Sequence, residues 1–274
     1  MKRFLVTFLV LSVAHICFGQ DYKTLINQAN YFFGQNDYEN AEIFYKKALI
    51  ADSTNKMNYI VYSNLGTTQR RIRKNNEALE SYTKALELNP KATAVLNNRA
   101  SLKRVMEDMK GSTADYDQVI LIDPKNEEAY LNRGHNKDKS GDIQGAIEDY
   151  KKILYINPKN FMAETNLANI KKSQNKYDEV LADYNRLIKE HSKEPILFNN
   201  RADILMVLKQ YEKAMQDINK AIELNVHYPM AYVTKGQIEM KLNQKEEARK
   251  DFMKAVELGF DINELNCILN DINK

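Results

Sequence analysis

Cysteine, histidine and proline are scarce in this chain, and tryptophan is missing altogether. Of the two cysteines, Cys17 lies in an N-terminal segment read below as removable, which leaves Cys267 alone. No internal disulfide is then possible, so stability has to come from packing. Cys267 reads as a small apolar residue of the last helix rather than a reactive thiol. The histidines His15, His135, His191 and His227 are scattered, with no pair a helical turn apart beside a carboxylate as a metal site requires. There is no glycine-rich phosphate loop, and no serine or cysteine in a recognisable nucleophile context. No catalytic residue, metal ligand or cofactor is assigned. The acidic pairs Glu127-Glu128 and Glu246-Glu247 read as solvated helix faces. Charge of one sign is lacking too. Without Lys2 and Arg3, 38 basic residues face 37 acidic ones, which argues against nucleic acid as the main partner.

Long apolar runs are confined to the start. Lys2 and Arg3 precede the run Phe4–Phe18, and Gly19-Gln20 follows. A charged start, a short apolar core and a small residue have the form of a secretory signal, with cleavage expected after Gly19. A retained anchor is the alternative, but the run is short for a bilayer span of about 20 residues and contains His15. A lipid-modified Cys17 is a weaker rival, because Ile16 before it is bulky. The expectation is an exported protein, periplasmic or extracellular, with no stable membrane span once the signal is removed.

What the chain has in abundance is repetition. The stretch Glu127–Pro158 recurs with a step of 34 residues, Ala146 being matched by Ala78, Ser112, Val180, Ala214 and Ala248. A further copy around Ala41 lies 37 residues before Ala78, which places a longer loop near Asp52–Asn58. With Glu127 as position 1, position 8 is always small: Ala29, Gly66, Ala100, Gly134, Ala168, Ala202 and Gly236. Position 24 is always large: Tyr45, Tyr82, Tyr116, Tyr150, Tyr184, Ile218 and Phe252. Position 32 is proline in three copies, at Pro90, Pro124 and Pro158. Positions 20, 24 and 27 share one helix face. Small residues let two helices approach closely while the aromatic fills the space beside them, so added bulk at Gly134 or Ala146 overpacks the contact.

These residues carry a resemblance to the tetratricopeptide repeat, a helix–turn–helix unit of 34 residues with small residues at 8, 20 and 27, and proline at 32. The resemblance implies an all-α fold, a right-handed superhelical solenoid of antiparallel helix pairs. Seven units are expected over residues 20–262, at about 22–55, 59–92, 93–126, 127–160, 161–194, 195–228 and 229–262, after a signal peptide at 1–19. Ile262, Leu265, Ile268, Leu269 and Ile272 mark an amphipathic helix, and residues 263–274 are expected to cap the last repeat.

Positions 7 and 23 vary together. Arg99, Arg133, Arg201 and Lys235 stand opposite Asp115, Asp149, Asp217 and Asp251, whereas copies one and two have Gln28 with Phe44 and Leu65 with Ser81. A charge-to-charge bridge between the two helices of one repeat follows; only Leu167 beside Asp183 breaks the rule.

The resemblance also implies that the first helix of each unit lines a concave face through positions 2, 5, 6, 9, 12 and 13. Position 6 is Asn27, Asn64, Asn98, Asn132, Asn166 and Asn200, then Thr234. Each amide offers an acceptor and two donors, the complement of an extended peptide backbone. The alternative is that asparagine merely suits a solvated helix face. Around this ladder Arg70, Arg71 and Arg104 make the early face basic, His135 falls at position 9, and Ile60, Met162, Ile196, Met206 and Met230 add apolar patches. The carboxylate clamp of this family's chaperone co-factors uses lysine at position 5 and asparagine at 9 of one repeat, asparagine at 6 of the next, and lysine at 2 with arginine at 6 of a third. Here position 5 is Ile26, Ser63, Asn97, Leu131, Thr165, Asn199 or Val233, and position 6 is never arginine, so that clamp is absent.

The expected function is a non-enzymatic scaffold or adaptor that binds a protein or extended peptide in its concave groove, the acidic part of the guest toward copies two and three. Two other roles remain open: an assembly subunit using its convex face or ends, and an accessory subunit of an envelope enzyme complex. Oligomeric state is not encoded in any visible feature.

Overall fold

The computed structural model describes residues 21–265, and the regular elements over that range are fourteen α-helices and a short helical stretch at its end. The signal segment, with His15 and Cys17, and the capping residues Cys267, Ile268, Leu269 and Ile272 lie outside the described residues. The chain divides into two compact units, the dividing point falling between Asp149 and Tyr150. The first unit holds α1 (Tyr22–Gly34), α2 (Tyr38–Ala51), α3 (Asn58–Arg71), α4 (Asn75–Leu88), α5 (Thr93–Val105), α6 (Met109–Ile122) and α7 (Glu127–Lys139). Helix α8 (Ile143–Ile156) contains the division. The second unit holds α9 (Phe161–Ser173), α10 (Tyr177–Glu190), α11 (Pro195–Val207), α12 (Tyr211–Leu224), α13 (Pro229–Lys241) and α14 (Lys245–Glu257). Within each unit every helix packs against the next in the chain.

Each hairpin reverses at position 15, where the backbone turns left-handed. Glycine occupies it at Gly141 (φ 85°), but Asn36, Arg73, Glu107, Asn175, Lys209 and Asn243 adopt the same sign of φ with a side chain. The connection between α2 and α3 spans residues 52–57 and is longer than the four-residue links elsewhere. It is pinned by buried Asn58, whose amide donates to the Asp52 carbonyl at 2.8 Å and accepts from the Tyr22 hydroxyl at 2.9 Å.

The core repeats with the sequence. Ala29, Ala41, Tyr45 and Ala48 are buried in the first repeat, and Ala78, Tyr82 and Ala85 in the second. At position 8 the fit is tight: a Cβ on Gly66 would lie 2.9 Å from the Tyr82 ring, and one on Gly236 would lie 2.7 Å from the Phe252 ring. Beyond the last full hairpin, residues 262–265 are helical. Leu265 is buried with Tyr232, Val233, Ala248, Phe252 and Ala255.

The bridges between positions 7 and 23 are formed. Arg99 donates to both oxygens of Asp115 at 2.9 and 2.7 Å, Arg133 to Asp149 at 2.9 and 2.5 Å, and Arg201 to Asp217 at 2.6 and 2.6 Å. Lys235 reaches Asp251 at 2.5 Å. The arginines do more than the spacing suggested. Their remaining nitrogen reaches position 25 of the preceding repeat: Thr83 for Arg99, Asp117 for Arg133 and Asn185 for Arg201. One guanidinium thereby ties three helices together.

Position 11 is a partner that the pairing of 7 with 23 overlooked. Lys103 and Lys137 add a second cation to Asp115 and Asp149. In the fifth repeat, Lys171 at 2.6 Å replaces the cation that Leu167 cannot supply to Asp183. The second repeat puts Gln69 there, which accepts from Ser81 and donates to Glu42. Burial opposes ionisation of Glu42, yet hydrogen bonds from Lys46, Lys74 and Gln69 outweigh it and hold its carboxyl at about 2. In the first repeat the two positions are Phe32 and Phe44, stacked at 5.3 Å.

The last repeat inverts the arrangement. Position 11 is Glu239, 5% exposed, facing Asp251 with only Lys235 between them. Burial, then the Asp251 charge, push the Glu239 carboxyl up to about 7. Its Oε2 finds no donor among the described residues. A proton on that oxygen supplies the missing bond, to Asp251.

Two measurements test this packing. Gly66→Ala forces the added methyl into the Tyr82 ring and should cost about 1–3 kcal/mol in urea unfolding, whereas Gly34→Ala, with nothing within 4 Å of the new Cβ, should not destabilise. For Glu239 the folded pKa lies above the ordinary carboxylate value of 4.5. The folded chain therefore holds a proton that the unfolded chain has released, and stability falls as pH rises from there to about 7. Glu239→Gln should remove that slope, raising the melting temperature by a few degrees near pH 8 and little near pH 5.

Candidate functional site

In the first unit Asn27, Asn64, Asn98 and Asn132 stand one per first helix, on α1, α3, α5 and α7. Asn27 is exposed and the other three are half-buried. In the second unit Asn166 on α9 and Asn200 on α11 are half-buried, while Thr234 on α13 is buried. Several of these amides are partly engaged within the protein. Asn132 donates to the Glu128 carbonyl at 3.0 Å and Asn166 to the Met162 carbonyl at 2.9 Å, each one turn back along its own helix. Asn200 accepts from Asn199 at 3.3 Å. Burial pushes the Tyr45 hydroxyl up to about 12, with the Asn64 amide beside it working the other way. Asn200 stands in the same relation to Tyr184. One bond leaves each amide a second N–H or its carbonyl oxygen.

A second row runs beside the asparagines, where position 12 of one repeat meets position 9 of the next. Arg70 donates to the Ser101 hydroxyl at 3.3 Å, Arg104 stands beside His135, and Lys172 pairs with Asp203. Burial lowers the His135 pKa, the charges of Arg104 and Lys139 act in the same sense, and Asp138 opposes them. The imidazole is therefore neutral at pH 7. Arg70 and Arg104 are half-buried and Arg71 is exposed. Unlike the arginines of position 7, none of these three has a carboxylate partner among the described residues. Apolar groups concentrate in the second unit, with Met162, Ile196 and Met206 half-buried and Met230 42% exposed; in the first unit Ile60 is exposed.

The sequence reasoning missed one set of contacts on this face. Buried tyrosines at position 24 reach the polar residue at position 9 of their own repeat: Tyr45 donates to Asn30 at 2.5 Å, Tyr82 and Thr67 share a bond of 3.1 Å, and Tyr184 donates to Asn169 at 3.0 Å. The signal was a polar residue always 15 positions before a tyrosine. His191 closes α10 and His227 lies in the link after α12, each in a different repeat from His135. Among the described residues no three histidine, cysteine, aspartate or glutamate side chains gather as a metal site. No described helix is long and apolar enough to cross a membrane.

Comparison with known proteins agrees with the repeat. Tetratricopeptide repeat family models match residues 59–92, and 22–55, 127–160, 197–225 and 231–258. A crystal structure of a tetratricopeptide repeat protein from Parabacteroides merdae is similar over 93% of this chain and 100% of that one, with 33% identity and a TM-score of 0.85. The structure of MamA protein is similar in fold over 63% of this chain and 92% of that one, at 22% identity and a TM-score of 0.56. No curated protein matches the sequence. Period, hairpins and these likenesses together establish that the chain belongs to the tetratricopeptide repeat family.

Proposed function

We propose that this protein is an exported scaffold that holds an extended protein segment along the face of its first helices. The repeats themselves imply protein partners. The observation that carries the finer reading is the asparagine row, one amide per first helix with hydrogen-bonding capacity left over in both units. Such amides meet backbone N–H and C=O groups whatever side chains the guest carries. Arg70, Arg71 and Arg104, on first helices of the first unit and without carboxylate partners among the described residues, suit a segment whose acidic part lies toward them. Export rests on the N-terminal residues alone. One observation favours a second reading, an assembly subunit: Ile50 and Leu121, at equivalent positions of the second helices α2 and α6, are 81% and 74% exposed.

The test is capture of envelope proteins by the chain lacking residues 1–19 and by its Asn98→Ala/Asn132→Ala/Asn166→Ala variant, with helicity compared by circular dichroism. Three lost hydrogen bonds at roughly 0.5–1.5 kcal/mol each should weaken the captured partner by about tenfold to a thousandfold. Unchanged affinity in a folded triple variant would sink the amide reading. Ile50→Asp/Leu121→Asp would then identify an assembly contact, and co-purification of a catalytic subunit would identify an accessory role.

A further inference from the structure

In the third repeat the tyrosine rule fails. Tyr116 is 1% exposed and its position-9 partner is Ser101, which accepts from Arg70 at 3.3 Å and makes no bond to the phenol. The Tyr116 hydroxyl has no hydrogen-bond acceptor among the described residues. Around it lie the charges of Arg104, Glu128 and Arg70, contributed by α5, α7 and α3. Arg104 is itself incomplete, because its Nε is buried and meets no acceptor. His135, half-buried on α7, flanks the same guanidinium. Two guanidinium groups, a phenol and an imidazole thus converge. Two carboxylates act on the phenol: Glu128, exposed and held by the Asn97 amide at 3.4 Å, and Asp115, whose charge Arg99 and Lys103 offset.

Elsewhere in this chain a half-buried arginine at position 7 always has a two-oxygen partner, as Arg99 has Asp115 and Arg133 has Asp149. Burying a guanidinium N–H without an acceptor is unfavourable, and a carboxylate matches the planar edge of the group. We infer that Arg70, Arg104, Tyr116 and His135 form a seat for one aspartate or glutamate side chain of a bound protein segment. This rests on the groove reading above. The guest carboxylate meets Arg104 and accepts the Tyr116 hydroxyl proton in a hydrogen bond. Glu128, of the same charge, weakens the seat.

The experiment measures fluorescence anisotropy of the full chain with two capped, labelled peptides, a Gly-Ser backbone bearing spaced glutamates and its glutamine counterpart. Charged hydrogen bonds set the expected preference for the glutamate peptide at roughly tenfold to a hundredfold at low salt. Arg70→Gln/Arg104→Gln should abolish that preference, Tyr116→Phe should reduce it in a chain of unchanged helicity, and Glu128→Gln should increase it. Equal affinity for both peptides, or a preference that survives the double arginine variant, overturns the seat. If both peptides bind alike and Asn98→Ala/Asn132→Ala weakens both, the seat falls and the groove reading stands. If the glutamate preference persists in that asparagine variant, the seat stands without the amides. If neither peptide binds, both readings fall. Displacement of the peptide by millimolar phosphate would reassign the seat to a free anion and overturn the protein-segment assignment.

Discussion

The ring of Tyr82 against the bare α-carbon of Gly66 is the contact on which the remaining architecture depends. It lets the two helices of one repeat approach so closely that an added methyl would fall inside van der Waals distance. The same arrangement recurs at Gly236 and Phe252. A hairpin this small cannot bury both its faces alone, so neighbours must stack on it, and stacking is what makes a regular period worth keeping. The buried alanines at positions 8, 20 and 27 serve the same close approach.

Charge is organised around that packing rather than apart from it. A buried aspartate at position 23 is tolerated because an arginine of the same repeat chelates it and a lysine at position 11 supports it. Burying a carboxylate is costly unless it is both paired and hydrogen-bonded, and these aspartates are both. The exceptions follow the same physics. The first repeat uses stacked aromatics at these two positions, the second uses neutral hydrogen bonds, and the last sets two acids around one lysine, where burial and the Asp251 charge raise the Glu239 pKa. Position 7 contributes beyond its own hairpin, since its third donor reaches back to the preceding repeat.

The face of the first helices combines this internal economy with residual capacity. Most hydroxyls, amides and cations there have partners within the chain, which limits how much of the asparagine ladder a guest could use. Tyr116 and Arg104 stand out: the phenol makes no bond to Ser101, and the buried Nε of Arg104 meets no acceptor among the described residues.

Much of the fold was legible in the sequence. Small and large residues at fixed positions report contacts inside one hairpin, and those contacts recur with the period. The bridges from Arg99 and Arg201 were visible for the same reason: both partners belong to one repeat and change together. The role of position 11 was less visible, because phenylalanine, glutamine, lysine, leucine and glutamate there share no chemistry until the residue at 23 is set beside them. What only the tertiary structure decided is which polar groups are left without partners. Whether the Nε of Arg104 meets an acceptor, and whether Glu239 faces an acid as well as Lys235, depends on where side chains of different helices end. A period records which residues recur, and hydrogen bonding depends on where their end atoms lie.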